Sequence, residues 1–273
     1  MRAAAIQMTS GRSVERNLAD AAGLLREARS AGAELAVLPE NFAFLGTNDA
    51  ERLGASEKWQ AGPIQEFLAA QAADNGLWLV GGTVPVRSGD KAHSASLLFS
   101  RDGELVARYD KIHLFDVAIP DADESYRESA TTLAGERPVV AETAIGKIAL
   151  AVCYDLRFPA LFDRLGSLGM EILALPAAFT VPTGEAHWET LLKARAIEAQ
   201  AFVVAAAQTG THDSGRKTYG HSLIVGPWGE ILADAGSIPG VVVADLDMMR
   251  MQRIRETFPV LLHRREIWHS GAP

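Results

Sequence analysis

Residues 147–165 read KIALAVCYDLRFPALFDRL, and this stretch predicts the fold. Its first part, KIALAVCYD, is an almost continuous apolar run, which is typical of a strand that is covered on both faces. The segment that follows predicts a helix over residues 158–168. A buried strand followed directly by a helix is the repeating unit of a sheet that is covered by helices.

The same alternation continues in both directions from this stretch. Predicted strands cover residues 3–8, 34–40, 77–86, 94–100, 104–110, 171–177, 201–208, 220–226 and 240–246. Predicted helices cover residues 13–30, 63–75, 158–168, 185–200 and 246–256. Close to ten strands and five helices, with no linker or repeat between them, predict one α/β domain over residues 1–273. We expect two packed sheets with helices outside and a long functional loop over residues 111–138.

Composition and charge exclude several classes of protein. The chain has 273 residues and a net charge of −8, so no basic face is expected to neutralise nucleic-acid phosphates. The longest apolar runs are far shorter than the about 20 residues that span a bilayer, and no secretory signal is recognised. We therefore expect a cytoplasmic protein that binds neither nucleic acid nor membrane. The single cysteine excludes an intramolecular disulfide and a multi-cysteine metal site.

That cysteine, Cys153, is the candidate nucleophile, although a lone cysteine in an apolar strand is more often a small core residue. A nucleophilic cysteine needs a base, hydrogen-bond donors for the oxyanion, and a rigid site such as a strand end. Cys153 is predicted at such an end. A helix that begins near Arg157 would point N–H groups at the sulfur and favour the thiolate.

Two interpretations of the base are open. Seven histidines allow a Cys–His pair. Alternatively, Glu40 ends one predicted strand and Lys111 follows another. A carboxylate among apolar residues can take a thiol proton near neutral pH, and a lysine can stabilise an oxyanion with its fixed charge. Spacing alone does not show that these side chains converge.

Three segments resemble the signature motifs of the nitrilase, or carbon–nitrogen hydrolase, superfamily. They are LAVLPENF (35–42), RYDKIHLFDV (108–117) and ALAVCYDLRFP (149–159). The resemblance implies that Glu40 is the general base, Lys111 the oxyanion stabiliser and Cys153 the nucleophile. A fourth match, YRESA (126–130), implies that Glu128 orients Lys111 or assists proton transfer.

The resemblance covers nearly the whole chain and has structural implications. It implies a four-layer α-β-β-α sandwich of the nitrilase type, which agrees with the α/β pattern of strands and helices. It also implies a homodimer or a higher homo-oligomer. The reaction of this family requires no metal and no organic cofactor.

Within the superfamily, the motifs most resemble the branch of amidases that act on deaminated glutathione, in which a keto group replaces the amino group. The neighbouring ω-amidase branch, acting on α-ketoglutaramate and α-ketosuccinamate, shares many of them. An N-carbamoyl amino acid hydrolase and a catalytically silent scaffold are further alternatives. The substrate in the first two cases is a small amide that carries a carboxylate.

A substrate carboxylate favours an arginine fork as its partner. Arg157 is the candidate, although it could instead pair with Asp155. The resemblance implies that the backbone N–H of Phe179 and the hydroxyl of Thr183 lie near the substrate. In the expected mechanism the backbone N–H of Tyr154 helps Lys111 to hold the oxyanion.

The remaining distinctive side chains have plainer interpretations. His113, His187 and His221 lack the tight spacing of a zinc motif, so we expect hydrogen-bonded structural residues and no metal site. Trp188 and Trp228 are predicted in the core or at a dimer interface.

Overall fold

Two β-sheets pack face to face between layers of helices in the computed structural model, which describes residues 1–119 and 124–265. The strands are β1 (Arg2–Gln7), β2 (Leu35–Val37), β3 (Trp78–Val80), β4 (Val84–Ser88), β5 (Lys91–Phe99), β6 (Leu105–Asp110), β7 (Asp116–Ala118), β8 (Ser125–Arg127), β9 (Thr132–Leu133), β10 (Val139–Thr143), β11 (Gly146–Leu150), β12 (Ile172–Ala177), β13 (Phe202–Ala207), β14 (Thr209–Thr211), β15 (Lys217–Tyr219), β16 (Leu223–Val225), β17 (Ile231–Asp234) and β18 (Gly240–Asp245).

Seven α-helices accompany these strands in the described residues. They are α1 (Val14–Ser30), α2 (Asp49–Gly54), α3 (Pro63–Asn75), α4 (Pro159–Ser167), α5 (Val181–Ala199), α6 (Met248–Thr257) and α7 (Val260–His263). Two single 3₁₀ turns, Glu128–Ala130 and Cys153–Arg157, lie at the connections that matter for function. Among residues 1–119 and 124–265, no helix has the length and apolar character needed to cross a bilayer.

The first sheet has the order β18-β1-β2-β3-β5-β4, with β6 and β9 also paired to β5. The second has the order β10-β11-β12-β13-β16-β17. The central strands β1, β2 and β3 run parallel, as do β11, β12 and β13. Because parallel neighbours end at the same edge, the loops after β2, β11 and β12 can build one site.

Alternate residues of β1 face opposite sides of the first sheet, and this alternation explains the order of the layers. Ala3 and Ala5 pack against the second sheet, whereas Ala4 and Ile6 pack against the helices on the other face. Those helices are α1 and α3, and α4 and α5 pack in the core cluster of the second sheet. The order helix, sheet, sheet, helix confirms the predicted four-layer α-β-β-α sandwich.

The helix that covers β1 forms where the sequence predicts it. The Ser13 side chain accepts a hydrogen bond from the Arg16 N–H at 3.2 Å and caps the N-terminus of α1. Ala21, Leu25 and Ala28 are fully buried, at the spacing of one helix face. Burying a leucine side chain such as that of Leu25 contributes about 1.5–3 kcal/mol, so this apolar face holds α1 to the sheet.

Several sequence-based expectations need correction. The strand predicted over KIALAVCYD ends at Leu150, because the chain turns sharply at Cys153. Helix α5 begins at Val181 and not at residue 185, since Pro182 is tolerated in a first helical turn. Part of the loop predicted over 111–138 forms the hairpin β7–β8, and the short strands raise the count well above ten. Of the two tryptophans predicted in the core or at a dimer interface, Trp188 is buried, whereas Trp228 is 57% exposed, which excludes the core for Trp228 and leaves the dimer interface.

Candidate active site

Glu40 follows β2 and is buried at the edge of the first sheet. Its backbone carbonyl accepts a hydrogen bond of 3.0 Å from the side chain of Gln208, which follows β13 in the second sheet. Gly82, with φ of +55°, passes so close that a Cβ there would lie 2.2 Å from the carbonyl oxygen of Pro39. The position of Glu40 therefore depends on both sheets and on a close backbone contact that only glycine allows.

Lys111 follows β6 and is almost fully buried. Its Nζ donates hydrogen bonds of 2.8 Å to Oε1 of Glu40 and 2.8 Å to Oε2 of Glu128. Burial alone lowers the pKa of Lys111, but the carboxylates of Glu128 and Glu40 outweigh it and the net shift is upward. Lys111 is therefore a fixed positive charge that joins the two glutamates.

Glu128 lies in the 3₁₀ turn after β8 and is held from several sides. Its Oε2 also accepts the Phe115 N–H at 2.8 Å, and its Oε1 lies 3.5 Å from Nη2 of Arg52. Burial raises the pKa of Glu128, but Lys111 and then Arg52 lower it by more. The net shift of the pKa is downward, so the carboxyl group is ionised. Arg52 on α2 is a member of this cluster that sequence reasoning did not find.

Cys153 opens the 3₁₀ turn after β11 with φ of +48°, a left-handed conformation that is uncommon for a residue with a side chain. The Ala178 N–H, beyond β12, donates to Sγ at 3.5 Å. Burial and then the charge of Glu40 raise the pKa of the Cys153 thiol. Lys111 lowers this pKa by a smaller amount. The net shift is upward, which contradicts the expectation that a following helix favours the thiolate.

A buried carboxylate, Asp155, fixes the turn that carries the cysteine. Its Oδ2 accepts the Tyr109 hydroxyl at 2.7 Å and the Val152 N–H at 2.9 Å. Its Oδ1 accepts the backbone N–H of His113 at 2.9 Å and lies 2.7 Å from Nδ1 of the same residue. The sequence marks Asp155 only by its place beside Cys153, and its role becomes visible in these contacts.

Glu40, Lys111, Glu128 and Cys153 all line one cleft with a volume of about 760 Å³. The predicted substrate-binding residues Tyr154, Arg157, Phe179 and Thr183 line the same cleft. All eight residues selected from the sequence therefore come together in space.

The Arg157 side chain does not pair with Asp155. Its Nη1 lies 3.1 Å from Nδ1 of His187, and its guanidinium lies 5.2 Å from the centre of the Phe179 ring. Burial lowers the pKa of Arg157 from its ordinary value. Thr183 Oγ1 lies 2.8 Å from Oγ1 of Thr180 and is fixed at the start of α5.

The three histidines of the rejected metal hypothesis lie in three different environments. His113 contacts Asp155, His187 contacts Arg157, and His221 lies 3.1 Å from the Asp234 carboxylate. Within the described part of the chain, no group of three or more His, Cys, Asp or Glu side chains could hold a metal ion.

The cleft is more basic than the chain as a whole. Among the described residues that line it, the basic ones are Arg52, Lys111, Arg127, Arg157 and Arg216, and the acidic ones are Glu40, Glu124 and Glu128. The complete chain has a net charge of −8. A positive cleft in an acidic protein favours an anionic ligand at this place.

Known proteins resemble this chain in sequence and in architecture. The family model described as carbon-nitrogen hydrolase matches residues 2–256. The chain belongs to the carbon–nitrogen hydrolase family. A deaminated glutathione amidase of Synechocystis is 43% identical over 96% of this chain and 97% of its own length.

Two solved structures support the same assignment. The NitFhit protein of C. elegans has a TM-score of 0.89 and 36% identity, with 97% of this chain and 65% of that chain covered. Nit3 of Saccharomyces cerevisiae, a member of branch 10 of the nitrilase superfamily, has a TM-score of 0.87 and 30% identity, with 97% of each chain covered. This carbon–nitrogen hydrolase is an enzyme that hydrolyses amides.

Proposed function

We propose that this hydrolase cleaves the γ-amide bond of deaminated glutathione to give α-ketoglutarate and Cys-Gly. The proposal is supported by the activity for which the Synechocystis relative is named, and by the volume and positive charge of the cleft. The chemistry rests on one observation, the bridge from Lys111 to Glu40 and Glu128 in the cleft that Cys153 lines.

The first half of the proposed reaction forms a thioester. Glu40 takes the thiol proton while Sγ of Cys153 attacks the amide carbonyl carbon, and the carbonyl π electrons move onto oxygen. Lys111 Nζ and the Tyr154 backbone N–H stabilise this oxyanion. The oxygen electrons then re-form the carbonyl, the C–N bond breaks, and Glu40 gives its proton to the leaving nitrogen.

The second half hydrolyses the thioester. Glu40 takes a proton from water as the water oxygen attacks the thioester carbonyl, and Lys111 again holds the oxyanion. The C–S bond then breaks, the thiolate of Cys153 recovers the proton, and the free acid leaves. These steps need neither a metal ion nor an organic cofactor.

Glu128 has a supporting role in this proposal. Its carboxylate accepts a hydrogen bond from Lys111, whose ammonium group also donates to Glu40. The same carboxylate is held by the Phe115 N–H and by Arg52. The ammonium group then keeps its charge and position through both oxyanion states. Glu128 is therefore proposed as the residue that orients Lys111.

The α-keto acid portion of the substrate is proposed to lie near Arg157. The guanidinium would bind its carboxylate, and the Phe179 N–H and the Thr183 hydroxyl would contact the remaining oxygens. An ω-amidase would use the same contacts for α-ketoglutaramate, so these residues do not separate the two substrates.

Steady-state kinetics on both substrates tests the proposal. We expect kcat/KM for deaminated glutathione to exceed that for α-ketoglutaramate, whereas the reverse order would assign an ω-amidase. The Cys153→Ser variant should fold and bind substrate but lose nearly all turnover. Substantial turnover by Cys153→Ala would contradict the thioester mechanism, and a covalent adduct seen by intact mass after an electrophilic amide analogue would support it.

We also propose that the enzyme acts as a homodimer in the cytoplasm. A catalytic free thiol persists best in a reducing compartment. The exposed side chains Ile197, Trp228 and Phe258 lie close together, with the Trp228 and Phe258 ring centres 5.5 Å apart. An exposed apolar patch of this kind supports contact with a second copy. Sedimentation velocity of the wild type and of Trp228→Ser tests it, with dissociation expected for the variant.

A further inference from the structure

Arg216 lies on the cleft wall, and neither the family motifs nor the proposed chemistry uses it. It ends the tight loop between β14 and β15, residues 212–216. Its Nη2 donates a 2.6 Å hydrogen bond to the carbonyl of Ala178, the residue whose N–H contacts Sγ of Cys153. A guanidinium is therefore held beside the peptide that supports the nucleophile.

The guanidinium also lies over an aromatic ring. Its central carbon lies 4.9 Å from the centre of the Tyr126 ring, which comes from strand β8. Its Nε is buried and has no hydrogen-bond acceptor among residues 1–119 and 124–265. A buried donor without an acceptor costs free energy, so its presence in a cleft points to a ligand that supplies the acceptor.

The loop that carries Arg216 is anchored at its base. The buried ring of His212 contacts the Ser10 carbonyl at 2.8 Å and the Thr218 hydroxyl at 2.7 Å. The Asp213 carboxylate accepts the Arg12 N–H at 2.8 Å, and the Tyr219 N–H donates to the Phe179 carbonyl at 3.0 Å. Arg216 is therefore preorganised, which reduces the entropy lost when a ligand binds.

The other cations of the cleft have different partners. Arg52 pairs with Glu128, and Lys111 joins Glu128 to Glu40. Arg157 contacts His187 and Phe179 and is already proposed for the keto-acid carboxylate. Arg127 is exposed at the rim of the cleft. Arg216 is the cation that combines a fixed position, an aromatic support and an unpaired buried donor.

We propose that Arg216, which lies over the Tyr126 ring, forms a second carboxylate subsite that binds the carboxylate of the leaving amine. This inference rests on the proposed function and deepens it. Deaminated glutathione has one carboxylate on the keto acid and another at the glycine end, on opposite sides of the amide that is cut. α-Ketoglutaramate releases ammonia and offers nothing to this subsite. Arg216 is therefore a specificity-determining residue for amides whose leaving amine is anionic.

The test uses a matched pair of substrates, deaminated glutathione and its analogue with a glycinamide end. The wild-type kcat/KM should be about 10- to 100-fold higher for deaminated glutathione than for the glycinamide analogue. This factor is the range expected for one charged, hydrogen-bonded pair. Arg216→Gln should reduce this ratio to about one, mainly through KM for the carboxylate substrate. Arg216 also holds the Ala178 carbonyl, so Arg216→Gln can lower kcat/KM for both substrates equally. Such a shared loss of activity cancels in the ratio of the two kcat/KM values.

Two further variants complete the design. Lys217→Gln removes an exposed cation that is next to Arg216 in the chain but outside the cleft lining, and it should keep the ratio within about threefold of the wild type. Arg216→Lys keeps the charge but not the planar fork and should give an intermediate ratio. A wild-type ratio near one, a ratio retained by Arg216→Gln, or a ratio lost in Lys217→Gln would each overturn the subsite.

Binding in the Cys153→Ala background separates this inference from the proposed function. Calorimetric titration with the same two compounds measures the carboxylate preference without turnover. If the wild type does not hydrolyse deaminated glutathione but the preference in binding disappears with Arg216→Gln, the proposed function fails and the subsite stands. If hydrolysis is rapid and no preference is measured, the subsite fails and the proposed function stands.

Discussion

The Tyr109 hydroxyl donates a 2.7 Å hydrogen bond to the buried carboxylate of Asp155 and so joins the end of β6 to the turn that carries Cys153. Lys111 follows Tyr109 by two positions, and Cys153 precedes Asp155 by two. Burial and then the charge of Asp155 raise the pKa of Tyr109, so the hydroxyl remains a neutral donor at every assay pH. This contact ties the segment that carries Lys111 to the turn that carries Cys153.

Replacing Tyr109 by phenylalanine should therefore affect catalysis from outside the cleft. We expect kcat for amide hydrolysis to fall by about 10- to 100-fold, because small misplacements of reacting groups are costly, with KM nearly unchanged. The lost bond to a charged acceptor should lower the free energy of unfolding by about 1.5–3 kcal/mol. Steady-state kinetics and denaturant titration measure both effects. A normal kcat in a destabilised variant would show that the contact is only structural.

The Lys111→Met variant keeps the volume of the side chain and removes its charge. Breaking a buried ion pair on one side costs about 3–5 kcal/mol, and loss of an oxyanion donor lowers kcat by about 10²–10³-fold. Lys193→Met is the control, because its pair with Glu189 is exposed and contributes only about 0.3–0.5 kcal/mol. Wild-type stability in Lys111→Met would contradict the bridge.

The pH dependence of stability should weaken when Lys111 is removed. In the wild type the pKa of Glu128 is lowered, so its contribution is present above the unfolded pKa and is lost as the pH falls. Without Lys111 the largest interaction that lowers this pKa is lost, only Arg52 and the Phe115 N–H oppose burial, and the ionised carboxylate stabilises the fold less. The Tm difference between wild type and Lys111→Met should therefore be larger at pH 8 than at pH 5.

Removing the charge of Glu40 should make Cys153 more acidic and the enzyme less active. The Glu40 charge raises the pKa of the thiol, so Glu40→Gln should move the thiol titration to lower pH. Turnover should still fall by about 10²–10⁴-fold, because the general base is lost. The pH dependence of alkylation reports the titration, and the chain has one cysteine, so every adduct is at Cys153. The exposed Glu142→Gln is the control, and an unchanged or upward shift in Glu40→Gln would contradict the expectation.

Gly82→Ala should disturb the site through the backbone. The left-handed conformation alone costs about 1–3 kcal/mol for a residue with a Cβ, and contact with the Pro39 carbonyl adds to it. Because Pro39 precedes Glu40, activity should fall together with stability. Gly23→Ala is the matched control, since a Cβ there meets nothing within 4 Å and alanine should stabilise α1 by about 0.5–1 kcal/mol. Equal Tm values for the two variants would refute this explanation.

The sequence predicts most of the long elements of the fold because their apolar periodicity is local. Helix α1 and strands β12 and β13 lie close to their predicted positions. The turn at Cys153 is different, because its positive φ is stabilised by Asp155 contacts with Tyr109 and His113 from distant positions. No local pattern reports such contacts.

The sequence also predicts most of the residues of the candidate site. Family motifs select residues that many members share, and all eight selected residues line the cleft. Arg52 and Arg216 lie outside the motifs, and their importance comes from tertiary contacts with Glu128, Ala178 and Tyr126. For Trp228 the sequence leaves the core and a dimer interface open, because apolar character alone cannot tell a packed ring from an exposed one.

The cleft draws on both sheets. Glu40 and Lys111 follow strands of the first sheet, whereas Cys153 and Ala178 follow strands of the second. Neither half of the chain holds a complete set of reacting groups. The cysteine therefore meets its base only after the two layers dock, and a newly made or partly opened chain carries an unassisted thiol. Amide turnover thus reports the alignment of the two layers, and loss of activity can precede loss of secondary structure when the enzyme is heated.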